Sequence, residues 1–222
     1  MQIKKLFAVI AVSLLLASCG SSKQEFPGTE KIEALRTAAE GYDSGCYVLK
    51  NVLTDEIEQT FTFMFDTDDT EIYYCEGIGA DGYYAEYSNG RDLFREQGGK
   101  SVFVPTSDES YVSYTRKKPH PYSSGQLFFY INAYISEGSE TQDAEGNTLY
   151  VYKYNVEKMN KQLKTTLSEF ATSYAFDADG NFVYFRQTNT DESGSYTYEI
   201  TTENVNSITS IPNLIKTEND DS

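Results

Sequence analysis

Hydrophobic positions along the chain fall into two rhythms. Thr29 reads as an N-cap, and Ile32, Leu35, Ala38 and Ala39 follow at helical spacing until Gly41 stops the run, so one amphipathic helix is predicted over Glu30–Glu40. From Ser44 the period changes to two. Gly45–Leu53, Ile57–Phe65, Glu71–Gly79, Tyr83–Ser88, Arg91–Gln97 and Ser101–Val104 read as strands of a meander, with Asp81-Gly82, Asn89-Gly90 and Gly98-Gly99 as turns. Ser123-Ser124-Gly125-Gln126 has the form of a capping box. Leu127, Phe128, Ile131, Tyr134 and Ile135 then repeat at helical spacing, which predicts a middle helix over Gly125–Glu137 with Gly138 closing it. Leu149–Tyr154, Glu169–Phe176, Phe182–Gln187 and Tyr196–Thr202 return to strand alternation, interrupted by a short helix that Asn155 caps ahead of Val156, Met159 and Leu163.

Helices too few to cover both sides of such a sheet imply an α+β fold, a curved antiparallel half-barrel with a few helices packed on one face. Ile57, Phe61, Phe63 and Phe65 fall on one side of their strand, and the Asn-Gly turn sets Ala85 opposite Phe94, with Tyr83 and Tyr87 alongside. With Leu127, Phe128, Ile131 and Ile135 of the middle helix, these residues form an aromatic stripe. It reads either as a filled core or as the lining of a ligand cavity. The pentapeptides Asp143-Ala144-Glu145-Gly146-Asn147 and Asp177-Ala178-Asp179-Gly180-Asn181 are nearly identical, but their flanks differ, so they share turn chemistry and do not mark a repeat.

Residues 1–18 are a processing leader: Lys4 and Lys5 form its charged start and Leu6 to Leu16 its apolar stretch. Leu16-Ala17-Ser18-Cys19 resembles the lipobox of bacterial lipoproteins. That resemblance implies cleavage before Cys19, a diacylglycerol on its thiol and acylation of the new amino terminus, with palmitate the expected acyl group. Such an anchor holds the protein to a cell membrane or outer membrane on the extracytoplasmic side. Residues 19–28 are a polar tether reaching about 30 Å at roughly 3.3–3.6 Å per residue. The domain spans 29–215, and the acidic tail 216–222 lacks apolar partners. Cys46 and Cys75 lie on strands with a third between them. A meander therefore separates them by about 10 Å, beyond the roughly 7 Å a disulfide allows, and two free thiols are expected.

The chain of 222 residues carries 18 Lys+Arg against 34 Asp+Glu, a formal charge of −16, which excludes a phosphate-neutralising nucleic-acid binder. Its single histidine, His120, stands between two prolines and reads as a surface residue, so no catalytic group, cofactor or metal is expected. Gly99-Lys100-Ser101 lacks the earlier glycine of a phosphate loop. Asp66, Asp68, Asp69 and Glu71 fit no EF-hand spacing and read as an acidic turn. Arg116, Lys117 and Lys118 form a solvated basic loop, with anionic lipid headgroups as the alternative partner.

The leading helix, Tyr83-Tyr84-Ala85-Glu86-Tyr87 with Asn89-Gly90-Arg91, the turn Phe176-Asp177-Ala178-Asp179-Gly180-Asn181-Phe182, and Asn204-Val205-Asn206 before Ile211-Pro212 together resemble the LolA/LppX superfamily of envelope lipoprotein carriers and lipid-binding lipoproteins. The resemblance implies a lipid or other hydrophobic ligand, or a lipoprotein, held between sheet and helices. Ile57, Phe61, Phe63, Phe65, Tyr83, Phe94, Leu127, Phe128, Ile131 and Ile135 would line that site. An anchored chain departs from a soluble shuttle, so a stationary, monomeric binder or sensor is implied. The alternative is a surface module whose Tyr-rich sheet face grips a protein or glycan.

Overall fold

A computed structural model of the chain describes residues 25–66, 72–79, 82–105, 130–207 and 210–211. Its elements are helix α1 (Thr29–Glu40), strands β1 (Ser44–Asn51), β2 (Ile57–Phe65), β3 (Ile72–Gly79), β4 (Gly82–Asn89), β5 (Asp92–Gln97) and β6 (Lys100–Pro105), a 3-10 turn at Asn132–Tyr134, β7 (Ile135–Gln142), β8 (Thr148–Tyr154), helix α2 (Val156–Leu163), β9 (Glu169–Phe176), β10 (Phe182–Asp191) and β11 (Gly194–Glu203). The strands make an 11-stranded antiparallel sheet in the order β6-β5-β4-β3-β2-β1-β11-β10-β9-β8-β7, with β6 and β7 as its end strands. The chain divides into two compact units, residues 1–37 with 124–198 and residues 38–123 with 199–222.

Most strand predictions agree with these elements to within a residue or two, because period-two alternation bounded by Gly and Asp turns is a local signal. The middle helix over Gly125–Glu137 is corrected. Residues 125–129, including Leu127 and Phe128, lie outside the described residues; Asn132–Tyr134 is a 3-10 turn, and Ile135 opens β7. The helical spacing of apolar residues there was genuine, but Ile135 to Gln142 pairs with β8 from Ile135↔Tyr154 to Gln142↔Thr148. A partner strand overrode the local period.

The second unit holds the meander β1 to β6. Register runs Tyr47–Phe61–Gly77–Tyr84, Gly45–Phe63–Cys75–Glu86–Arg95 and Phe65–Tyr73–Ser88–Leu93 across one face. Across the other it runs Met64–Tyr74–Tyr87–Phe94–Phe103 and Thr60–Ile78–Tyr83. Cys46 pairs with Thr62 and Cys75 with Phe63, so the cysteines stand on opposite faces of different strands, and both are free. On the second face Tyr74, Ala85 and Tyr87 form a buried cluster that Met64, Phe94 and Ile211 cover.

In the first unit α1 is rooted by ring contacts. Its buried positions there are Ile32 and Leu35, with Arg36 half-buried beside them; Ala38, exposed, and Ala39, buried, fall in the second unit. Gly28, at φ +77°, lies against the face of Tyr150, where a Cβ would sit 2.4 Å from ring carbons; only glycine meets both demands. The two related turns close β7–β8 and β9–β10 in the same way. Oδ1 of Asp143 accepts from the amides of Glu145 and Asn147, each at 2.9 Å. Asp177 does the same for Asp179 and Asn181 at 3.0 and 2.7 Å. These carboxylates are spent on turn amides.

Candidate functional site

The ten residues expected to line one site do not share a face. Phe61, Phe63 and Phe65 are buried together: ring centroids are 6.1 Å apart for Phe61–Phe63, 6.0 Å for Phe63–Phe65, and 5.4 Å for the stacked pair Tyr47–Phe63. Tyr83 and Phe94 stand on the opposite face. The reason is parity carried through β3: the turn between Gly79 and Gly82 sets Cys75 opposite Glu86, so odd-numbered residues of β2 share a face with even-numbered residues of β4. The Asn-Gly loop is also longer than a two-residue turn. Asn89 Oδ1 accepts from the amides of both Arg91 and Asp92, and Phe94 faces Tyr87 rather than Ala85. Ile57 follows a register shift at Leu49/Lys50 and is 63% exposed. Ile131 is half-buried and Ile135 buried, both in the first unit.

The Phe face of the second unit holds an ion pair, Glu86 with Arg95. The carboxylate of Glu86 is buried, accepts from Tyr73 Oη at 2.5 Å, and is gripped by Arg95 through Nε and Nη2, both at 2.9 Å. Both Arg95 nitrogens meet Oε2 and the Tyr73 phenol meets Oε1, a self-satisfied arrangement that locks β3, β4 and β5.

The first unit brings together residues that sequence reasoning passed over. Tyr150, Tyr152 and Tyr154 of β8 stand beside Phe170, Thr172, Tyr174 and Phe176 of β9, and then Phe185 and Gln187 of β10. Rings pack across the strands, edge to face for Tyr152–Tyr174 at 6.1 Å and Tyr154–Phe170 at 5.0 Å, and tilted for Tyr174–Phe185 at 5.0 Å. Tyr130 adds a ring 5.2 Å from Tyr152. The hydroxyl tips find partners: Tyr152 donates to the Pro27 carbonyl, Tyr130 bonds Thr29 Oγ1 at 2.8 Å, and Tyr154 bonds Thr172 Oγ1 at 3.1 Å. Burial pushes the hydroxyls of Tyr152, Tyr154 and Tyr174 well above the usual phenol range, and the nearby Arg36 charge pulls Tyr154 and Tyr174 back part of the way.

Arg36 enters this face from α1. Its Nη1 donates to the Tyr130 carbonyl at 3.2 Å, while its buried Nε has no acceptor. Gln187, 1% exposed, donates through Nε2 to Asn189 Oδ1 at 3.0 Å and leaves Oε1 without a donor. The sequence held a signal for Arg36: Ile32, Leu35, Arg36 and Ala39 are the i, i+3, i+4, i+7 face of the helix, and one of the four is charged. Among the described residues, no group of three or more His, Cys, Asp or Glu side chains converges as a metal site, and no helix is long and apolar enough to cross a membrane. His120 and the Arg116–Lys118 loop lie outside the described residues.

No protein-family profile matches the chain, and no curated protein sequence does. Among solved structures it is similar to LprF from Mycobacterium bovis, at 14% identity and a TM-score of 0.43, over 85% of this chain and 99% of that one. It is also similar to the Mycobacterium tuberculosis lipoprotein LppX, at 13% identity and a TM-score of 0.35, over 82% of this chain and 98% of that one. At this level of likeness the functional reading rests on the residues of the chain itself.

Proposed function

We propose that this chain is an envelope lipoprotein, anchored through Cys19 on the extracytoplasmic side of a membrane, that binds a lipid or another hydrophobic molecule. The fold it brings to the task is an α+β half-barrel, with the ligand held between the sheet and α1. It acts as a stationary, monomeric binder or sensor and not as an enzyme. Binding is driven by apolar area leaving water, worth roughly 25 cal/mol per Å².

The supporting observation is the composition of the face formed by β8, β9 and β10. Tyr150, Tyr152, Tyr154, Phe170, Tyr174, Phe176 and Phe185 occupy it with Thr172 and Gln187, and no aliphatic side chain stands among those positions. Cores that need only to be filled draw on Leu, Ile, Val, Phe and Ala, and take Tyr only where its hydroxyl can reach a partner. Flat rings with polar tips suit an amphiphile, whose tail lies on the rings and whose head meets hydroxyls. Phe61, Phe63 and Phe65, with Tyr47 stacked on Phe63, form a second buried ring cluster in the other unit.

A second reading, a module that grips a protein or glycan partner, is favoured by one feature. Leu53, Ile57, Ile78 and Tyr83, at one end of the β1–β4 hairpins, are exposed by 72, 63, 59 and 41%. The test between them uses the full chain carrying Cys19→Ser, titrated with a fluorescent acyl probe. Saturable binding that unlabelled lipid displaces is expected. A chain that ignores acyl probes yet retains a surface partner would replace the first reading with the second.

A further inference from the structure

Arg36 is a cation at a core-facing helix position of a strongly acidic protein, and among the described residues no carboxylate pairs with it. Its surroundings are neutral: the Tyr130 carbonyl on Nη1, and the phenols of Tyr154 and Tyr174 within electrostatic reach. The second observation is independent. Gln187 is fully buried and its Oε1 lacks a donor, in the same row of the sheet as Thr172, whose hydroxyl binds Tyr154. The first unit thus holds an unpaired guanidinium Nε–H, on a side chain bonded to the Tyr130 carbonyl, and an unpaired amide oxygen in the row of Thr172. Water would satisfy either hydrogen-bond deficit. It would leave the charge of Arg36 uncompensated, and a half-buried cation is the group that most needs an opposite charge.

We infer that Arg36 receives the anionic head of an amphiphilic ligand, a carboxylate or a phosphate monoester, with the phenols of Tyr154 and Tyr174 beside it and Gln187 Oε1 accepting from a head hydroxyl or a proton on the head. The inference rests on the lipid-binding reading above and specifies its ligand class. Guanidinium suits the role because it keeps its charge when buried and offers paired N–H donors to two oxygens of one oxyanion. Lys31, on the same helix, holds its ammonium 5.8 and 5.6 Å from the Tyr150 and Phe176 ring centres, so α1 carries a second cation over the same ring-lined face.

The test uses the full Cys19→Ser chain, with three probes of one tail length: oleate, oleoyl lysophosphatidate and neutral monooleoylglycerol, each displacing a fluorescent acyl reporter. One of the two anionic probes is expected to bind at least about tenfold tighter than the neutral one, and which of them wins separates carboxylate from phosphate recognition. Arg36→Gln should erase that preference while leaving monooleoylglycerol binding within about twofold. Arg36→Lys should keep part of it, which guards against a variant that simply fails to fold. Equal binding of all three probes to the parent chain, or a preference surviving Arg36→Gln, overturns the inference and leaves the lipid-binding reading standing. Failure of every probe overturns both.

Discussion

Single side chains in this protein show how a polar group is satisfied when the surroundings are aromatic. Glu86 is satisfied by Arg95 and Tyr73, and its carboxylate needs nothing further. Asp143 is satisfied by its own turn: Asn147 donates through its side chain and backbone, Tyr184 through its hydroxyl and Glu145 through its amide. These bonds hold its carboxyl down at about 2. A carboxylate depressed in this way stabilises the fold fully above the unfolded value near 4, and the contribution disappears as pH falls through about 2. Asp143→Asn should therefore lower the denaturation midpoint at pH 7, and the gap from the parent chain should close by pH 2. An equal gap at both pH values would show that the charge plays no part. Arg36 and Gln187 differ from these groups, because each retains an unmet hydrogen-bonding atom.

At the scale of elements, the strands were legible in the sequence because alternation and turn residues are local. The cap of α2 was legible too: Asn155 Oδ1 accepts from the Lys158 amide at 2.8 Å. What failed was what pairing decides. Residues Ile131 to Ile135 carry a helical pattern, but Ile135 lies opposite Tyr154, and β7 exists because β8 is beside it. The shared face assigned to Phe61, Tyr83 and Phe94 failed because parity accumulates over three hairpins, and every turn must be right for the last strand to be right. The free thiols were inferred correctly, since one intervening strand sufficed. Gly77 tests the register directly. A Cβ there would lie 2.3 Å from the Thr60 carbonyl oxygen and 2.6 Å from the Tyr84 hydroxyl. Gly77→Ala should cost about 1–3 kcal/mol, read from chemical denaturation. A neutral substitution would mean that Tyr84 does not cross β3 at that point.

For the molecule as a whole, the sequence reported class and context better than the site. The run Leu16-Ala17-Ser18-Cys19, which resembles a lipobox, and a strongly acidic, tyrosine-rich composition are properties of order and composition, readable without contacts. The candidate site was only partly legible. Phe61, Phe63 and Phe65 are buried together in the second unit, whereas the tyrosine face of the first unit went unremarked because Tyr150, Tyr152 and Tyr154 read as nothing more than a strand. Charge at an apolar helix position was the available clue, and Arg36 carried it. The account stands or falls on whether these aromatic faces hold a ligand. The most direct measurement is native mass spectrometry of the full Cys19→Ser chain after incubation with a total lipid extract and gentle purification. The account predicts a stoichiometric bound lipid, released when the protein unfolds. A protein of bare polypeptide mass under the same conditions would contradict it.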